Sequence, residues 1–379
     1  ATPLTSGPRF GNGQGYSISV SHASTPDYYM TGDQHSGSVS HILSTGGNGY
    51  NLIGNPYISY IHANDAADGT NNILRENGTL GSDRLVEDTI WLWDADNETW
   101  ITKTRIDTDA YRINPLQGFF VKAKSAGPFT FTKAMESHDA ISSSADDTFL
   151  KPSNNRFEIN LSIGSGKLSR KASIRYIEGT TTSFDNGYDG SMFGGYASEL
   201  EVYTGLVAGD SDKKLAIQSL PNENYGDMVI PVGVTAAANS EITFTAEALN
   251  VPSGYKVFLE DRLNNTFTRL DEANSEYTTA VSETSTDGRF YIHAKSSALS
   301  ADTELLNSVS IYKSNATTLR IVGLSQGKAS VKIYNVLGKQ VMSSNFNATG
   351  VKELNLPNLS KGVYIVQLET ETGTLNKKI

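Results

Sequence analysis

The chain has 379 residues, with 31 basic against 41 acidic side chains and a net charge of −10. No run of Lys or Arg is present to displace counterions from a phosphate backbone, which excludes nucleic acid as a partner and disfavours an anionic membrane surface. No stretch of about 18 apolar residues occurs, so no helix is expected to span a bilayer, and the lack of cysteine removes disulfides, thiolate nucleophiles and Cys-ligated zinc together.

At roughly 150 residues per domain the length implies two to three domains. The 34 glycines and 11 prolines, among many Ser, Thr, Asn, Val, Ile and Tyr, suit short strands joined by tight turns rather than helix bundles. Ala1 to Pro8 has neither a charged n-region nor an apolar h-region, so it does not read as a signal peptide. Because Gly15–Val20 already reads as a strand inside a sheet, the chain is expected to be a piece of something longer. Apolar residues alternate at two or form short runs between turn signals, without sustained helical stripes.

Over residues 1–145 the predicted strands are Tyr16–Ser21, Ser38–Leu43, Tyr50–Ile53, Thr89–Asp94, Thr99–Thr104, Gly118–Ala123 and Phe129–Phe131. Asn64–Asp88 reads as an irregular loop with one short helical turn near Ile73. The polar stretch Ser142–Asp147 marks a boundary. Over 146–300 nine strands are predicted: Arg156–Ile163, Lys171–Ile177, Glu199–Thr204, Lys214–Gln218, Asp227–Pro231, Glu241–Ala246, Lys256–Asp261, Thr266–Arg269 and Gly288–Ala294. Their spacing describes a β-sandwich of jelly-roll or immunoglobulin-like kind. Ser296–Asn307 reads as a linker, and 305–379 as a small sandwich of seven strands. There Leu337-Gly338-Lys339 reads as a hairpin loop with Gly supplying positive φ. Val363–Leu368, apolar at five of six positions, reads as a central strand covered on both faces. The expected fold class is all-β: two sandwich domains, then a small immunoglobulin-like one.

Trp91, Trp93 and Trp100 are the only tryptophans, in one hairpin around Asp94–Glu98. Trp91 and Trp93 share a face because strand side chains alternate. Exposed, they would form an apolar platform for stacking sugar rings, with Asp94, Asp96 and Asn97 as hydroxyl partners. The alternative is a cross-strand aromatic pair closing the core of the first domain. Asp185, Asn186 and Asp189 place carboxylates four residues apart around Gly187, a candidate for Ca²⁺, which takes six to eight oxygens. They lack EF-hand spacing, and an Asx-stabilised turn explains the same residues. His22, His35, His41 and His62 fit no short metal motif. No nucleophile elbow, Walker loop or dinucleotide fingerprint stands in a strand-to-helix context, and Gly11–Gly15 precedes no helix that could hold phosphate. With 41 acidic residues, some pair would reach glycosidase spacing by chance, so no acid and base can be nominated.

The last region carries Val309-Ser-Ile-Tyr-Lys313, Leu319-Arg-Ile-Val-Gly323, Val331-Lys-Ile-Tyr-Asn-Val-Leu-Gly-Lys-Gln-Val341, Leu356-Pro-Asn-Leu-Ser-Lys-Gly-Val-Tyr-Ile-Val-Gln-Leu368 and Leu375-Asn-Lys-Lys-Ile379. This pattern resembles the C-terminal sorting domain of type IX secretion cargo from Bacteroidota. The resemblance implies an immunoglobulin-like sandwich read by an outer-membrane shuttle, then cleaved or used for surface attachment by the sortase machinery. It places Gly338, Lys339, Gly362, Tyr364, Lys377 and Lys378 in the sorting signal. The preceding text, such as Gly49–Tyr57, Leu116–Ala123 and Phe184–Asp189, is similar to β-rich segments of large Bacteroidota surface proteins. That looser resemblance implies an architecture rather than a reaction.

The expectation is a secreted or surface-attached, non-catalytic β-protein serving adhesion, assembly or glycan contact, without a cofactor unless Ca²⁺ binds. One alternative is a carbohydrate-binding accessory region of a polysaccharide-degrading enzyme. Others are a self-associating subunit of an extracellular fibre, joined by β-augmentation, and a hydrolase or lyase in its own right.

Overall fold

The computed structural model describes residues 11–17, 35–138, 155–195, 198–209, 212–282, 284, 286–296, 309–315, 317–335, 338–357, 362–370 and 373–378. Strands dominate them. The single α-helix among the described residues, Ile73–Asn77, lies where the short helical turn was predicted, and the Asn72 side chain caps it by accepting from the Arg75 backbone N–H. The predicted boundary Ser142–Asp147 and linker 297–307 lie outside the described residues, as do residues 18–21 of the first predicted strand. The chain divides into two compact units, residues 1–250 with 272–291, and residues 251–271 with 292–379.

In the first unit a four-stranded antiparallel sheet runs in the order Tyr50–Gly54, Gly118–Lys122, Thr89–Asp94, Thr99–Thr104. Val39–Leu43 pairs with Gly127–Phe131, and a small three-stranded sheet joins Arg112–Ile113, Tyr60–His62 and Glu136–Ser137. These last three strands have two or three residues each, too short for alternation to reveal them in sequence. Ile53, Ile61, Ile90, Leu92, Phe119, Val121, Phe129, Phe131 and the helix residues Ile73 and Leu74 share one core. Full burial of such side chains contributes about 1.5–3 kcal/mol each.

A second ladder in the same unit runs Val229–Thr235, Glu201–Thr204, Leu215–Pro221, Leu168–Ile177, Glu158–Ser165, Ser240–Leu249, Tyr277–Val281, with Gly190–Ser191 added against Leu215–Pro221. Leu168–Ile177 and Leu215–Pro221 are parallel; the other described pairings are antiparallel. All nine strands predicted over 146–300 overlap observed ones; Gly190–Ser191 and Tyr277–Val281 were not anticipated.

In the second unit, Tyr255–Asp261 and Thr266–Arg269 form a hairpin. The terminal sheet runs Ser310–Asn315, Thr318–Asn335, Tyr364–Thr370, Gly373–Lys378, with Gln340–Asn355 paired along Thr318–Asn335. It holds five strands instead of seven, because the 18-residue strand Thr318–Asn335 runs on through Gly323 and Gly327 as one strand. Register shifts after Val322 and Leu324 mark bulges there, and bulges bend a strand without ending it. Residues on both sides of the bulges, among them Leu319, Ile321, Val331 and Ile333, join Val366 and Leu368 in one core. The prediction for Val363–Leu368 needs correction. The strand is internal to the sheet, but only Val366 and Leu368 are buried, while Val363 and Ile365 are 41% and 45% exposed.

Candidate functional site

Ile90 and Leu92 belong to the first core, so alternation turns Trp91 and Trp93 to the opposite face, and register sets Trp100 across from Trp93. The three indoles have different surroundings. Trp91 is wholly buried; its Nε1–H donates to the Ser191 carbonyl at 2.9 Å, and Tyr50 meets its ring edge-on at 5.3 Å. It therefore drops out of the predicted platform. Nor does it close the first core: the segment Gly190–Phe193 of the second ladder covers it. Trp93 is 48% exposed, and its ring lies 5.2 Å from that of Trp100. Trp100 is half-buried against Phe193 at 4.0 Å and Phe120 at 5.5 Å.

Trp93 and Trp100 form one side of a cleft of about 490 Å³. Glu98, Leu168, Arg170, Lys171, Phe193 and Glu199–Val202 are among its other lining residues. The hairpin tip is held closed from inside and outside. Asp94 accepts from the backbone of Asp96 and Asn97 and from the Asn97 amide, so it stabilises the turn instead of facing the cleft. Across the cleft Arg170 donates from Nη2 to the Glu98 carbonyl at 2.9 Å and from Nη1 to the Ser169 carbonyl at 2.8 Å. Burial pushes the Glu201 carboxyl above its ordinary range, opposed by Lys214 and by hydrogen bonds from Thr235 and Ser198. The Trp100 Nε1–H is buried without an acceptor among the described residues.

Beyond the cleft, a buried polar junction joins the two ladders of the first unit. Arg105 donates from Nε to Asp88 at 3.0 Å and from Nη1 to Asp65 at 2.8 Å, and Arg75 reaches Asp65 at 3.2 Å. Asp88 also accepts from the backbone and hydroxyl of Thr79. Glu87 accepts from the Ser191 backbone and hydroxyl and from Lys213. Sequence reasoning missed these groups because the partners stand 17, 40 and 104 positions apart.

The predicted calcium loop is woven into this junction. Asn186 Oδ1 accepts from the Asp88 backbone at 2.8 Å, and Asp189 accepts from the backbones of Ser219 at 2.6 Å and Asp185 at 2.7 Å. Asp185 accepts from the Thr181 backbone and hydroxyl. Gly187 is required between them: it has φ +87°, and a Cβ there would lie 2.7 Å from Arg105 Nη2. The carboxylate oxygens thus serve backbone N–H groups, four residues upstream or in a neighbouring strand, and not those of an Asx turn. Among the described residues no three His, Cys, Asp or Glu side chains group so as to hold a metal ion.

Burial, with Asp185 and Glu87 nearby, pushes the Asp189 carboxyl up to about 7. Between its ordinary value of 3.8 and about 7, the native state then holds a proton that the unfolded chain has lost. Asp189 is therefore expected to make stability fall as pH rises through that window and level off above it. Asp189→Asn should flatten this part of the profile in urea midpoints measured from pH 4 to 8; an unchanged slope would refute the assignment.

In the terminal sheet, Gly338 lies at the turn after Asn335 with φ +77°, and the Asn335 side chain accepts from the Lys339 backbone at 3.0 Å. Leu337 lies outside the described residues. Tyr364 packs half-buried on the core, and Gly362 is exposed just before its strand. Lys377 and Lys378 are exposed on the edge strand Gly373–Lys378, opposite Val366 and Ile365. Lysines on an edge oppose pairing with another strand. The residues named for the sorting signal are thus spread over a turn, a strand entry and an edge.

Two families match the chain. The family described as Domain of unknown function (DUF8693) covers residues 9–293. The chain belongs to it. The DUF8693 region runs without a break across the polar stretch 142–147, and it contains the cleft, the junction and all three tryptophans. Residues 313–379 match the Secretion system C-terminal sorting domain, the tail of type IX secretion cargo. The DUF8693 chain is therefore exported to the cell surface or the extracellular space through the type IX machinery. Among the described residues no helix is long and apolar enough to cross a membrane. No curated protein matches the chain.

Proposed function

We propose that the exported chain is a non-catalytic surface module that contacts glycan through the cleft beside Trp93. The observation that carries this reading is a half-exposed indole fixed over a cleft by Trp100 and flanked by polar side chains. A pyranose ring offers an apolar C–H face to such an indole and hydroxyls to the groups around it.

Affinity electrophoresis through gels containing polysaccharide tests it. Trp93→Ala is expected to weaken retardation about tenfold or more, the effect of losing about 1.4 kcal/mol. Its thermal midpoint should stay near that of the wild type, since exposed substitutions usually change stability by less than about 0.5 kcal/mol. Equal retardation of variant and wild type would sink the proposal.

A further inference from the structure

We infer that the ligand of this cleft is an uncharged sugar chain, not a polyuronate or other polyanion; the inference rests on the glycan reading above. The lining carries three carboxylates, Glu98, Glu199 and Glu201, against two cations, Arg170 and Lys171. Recognition of a sugar carboxylate calls for a guanidinium fork or a row of free N–H donors. The Arg170 fork is already committed to the carbonyls of Glu98 and Ser169, which leaves Lys171 as the other cation of a lining with three acids. An incoming anion would also meet Glu201 where partial burial weakens solvent screening. At longer range, the net charge of −10 repels a polyanion before it docks.

Hydroxyl groups meet none of these obstacles. Glu side chains accept from sugar O–H groups. The volume, about 490 Å³, lies within the range of about 300–1,000 Å³ typical of small-ligand clefts.

Native gels containing hydroxyethyl cellulose, laminarin or polygalacturonate, run with the full chain and with Trp93→Ala at low and at physiological salt, separate the outcomes. The expected result is retardation of the wild type by at least one of the two neutral polymers, lost in Trp93→Ala, with no retardation by polygalacturonate at either salt. Retardation by polygalacturonate as strong as by the neutral polymers, and dependent on Trp93, overturns the uncharged-ligand inference and leaves the glycan reading intact. If no polymer retards the protein, or if Trp93→Ala behaves as the wild type, both fall.

Discussion

Arg105→Ala is expected to lower the stability of the first unit by about 3–5 kcal/mol, the cost of removing one partner from a buried ion pair. The guanidinium is the hub of the junction: it bonds Asp88, which is wholly buried, and Asp65, and its own backbone accepts from Asp65 and donates to the Asp88 carbonyl. Its removal strands the Asp88 carboxylate in a fully buried place, while Asp65 keeps its ion pair with Arg75. The cause of the loss is the uncompensated charge, not the missing attraction, and that distinction can be measured. Asp88→Asn placed on the Arg105→Ala background should recover part of the stability, because the amide still accepts from Thr79 without a charge to bury. Chemical denaturation of the four chains of this cycle gives the coupling. Additive losses would show that Arg105 and Asp88 act independently.

Trp91→Ala and Trp93→Ala, two residues apart on one strand face, should differ several-fold in effect. The first empties a fully buried indole site, for which about 3–5 kcal/mol is expected, and also strands the Ser191 carbonyl. Trp91→Phe should cost less, since the aromatic packing against Tyr50 and Phe193 is partly kept and mainly the hydrogen bond goes, about 1 kcal/mol. Trp93→Ala removes a ring that is half in water and should leave the thermal midpoint nearly unchanged. Scanning calorimetry on the three variants decides it. Equal losses at Trp91 and Trp93 would mean that the two indoles share one environment.

Local pattern made much of the architecture readable. Alternation in Thr89–Asp94 and Gly118–Lys122 reports a strand wherever it occurs, because side-chain direction depends only on the pleat. Where local signals misled, the cause was a longer-range effect. Seven short strands were expected in the last region, yet Thr318–Asn335 is one long strand because Gln340–Asn355 pairs along both of its halves. Apolar runs had the converse fault: Val363–Leu368 is apolar throughout most of its length, but composition could not show that one face has little packed on it.

Order of residues alone determined the all-β class, most strand positions, the tryptophan hairpin and the export tail, the last because its motif is contiguous and needs no folding to be read. Tertiary structure decided which side chains meet solvent and which meet each other. Trp91 and Trp93 are equivalent in sequence terms, but Ser191, one hundred positions downstream, closes over the first, while the second stays half exposed. The same holds for Arg105 with Asp88 and Asp65, and for Asp189 with Ser219: charge placement across such separations is set by how the sheets dock, and spacing along the chain carries no record of it.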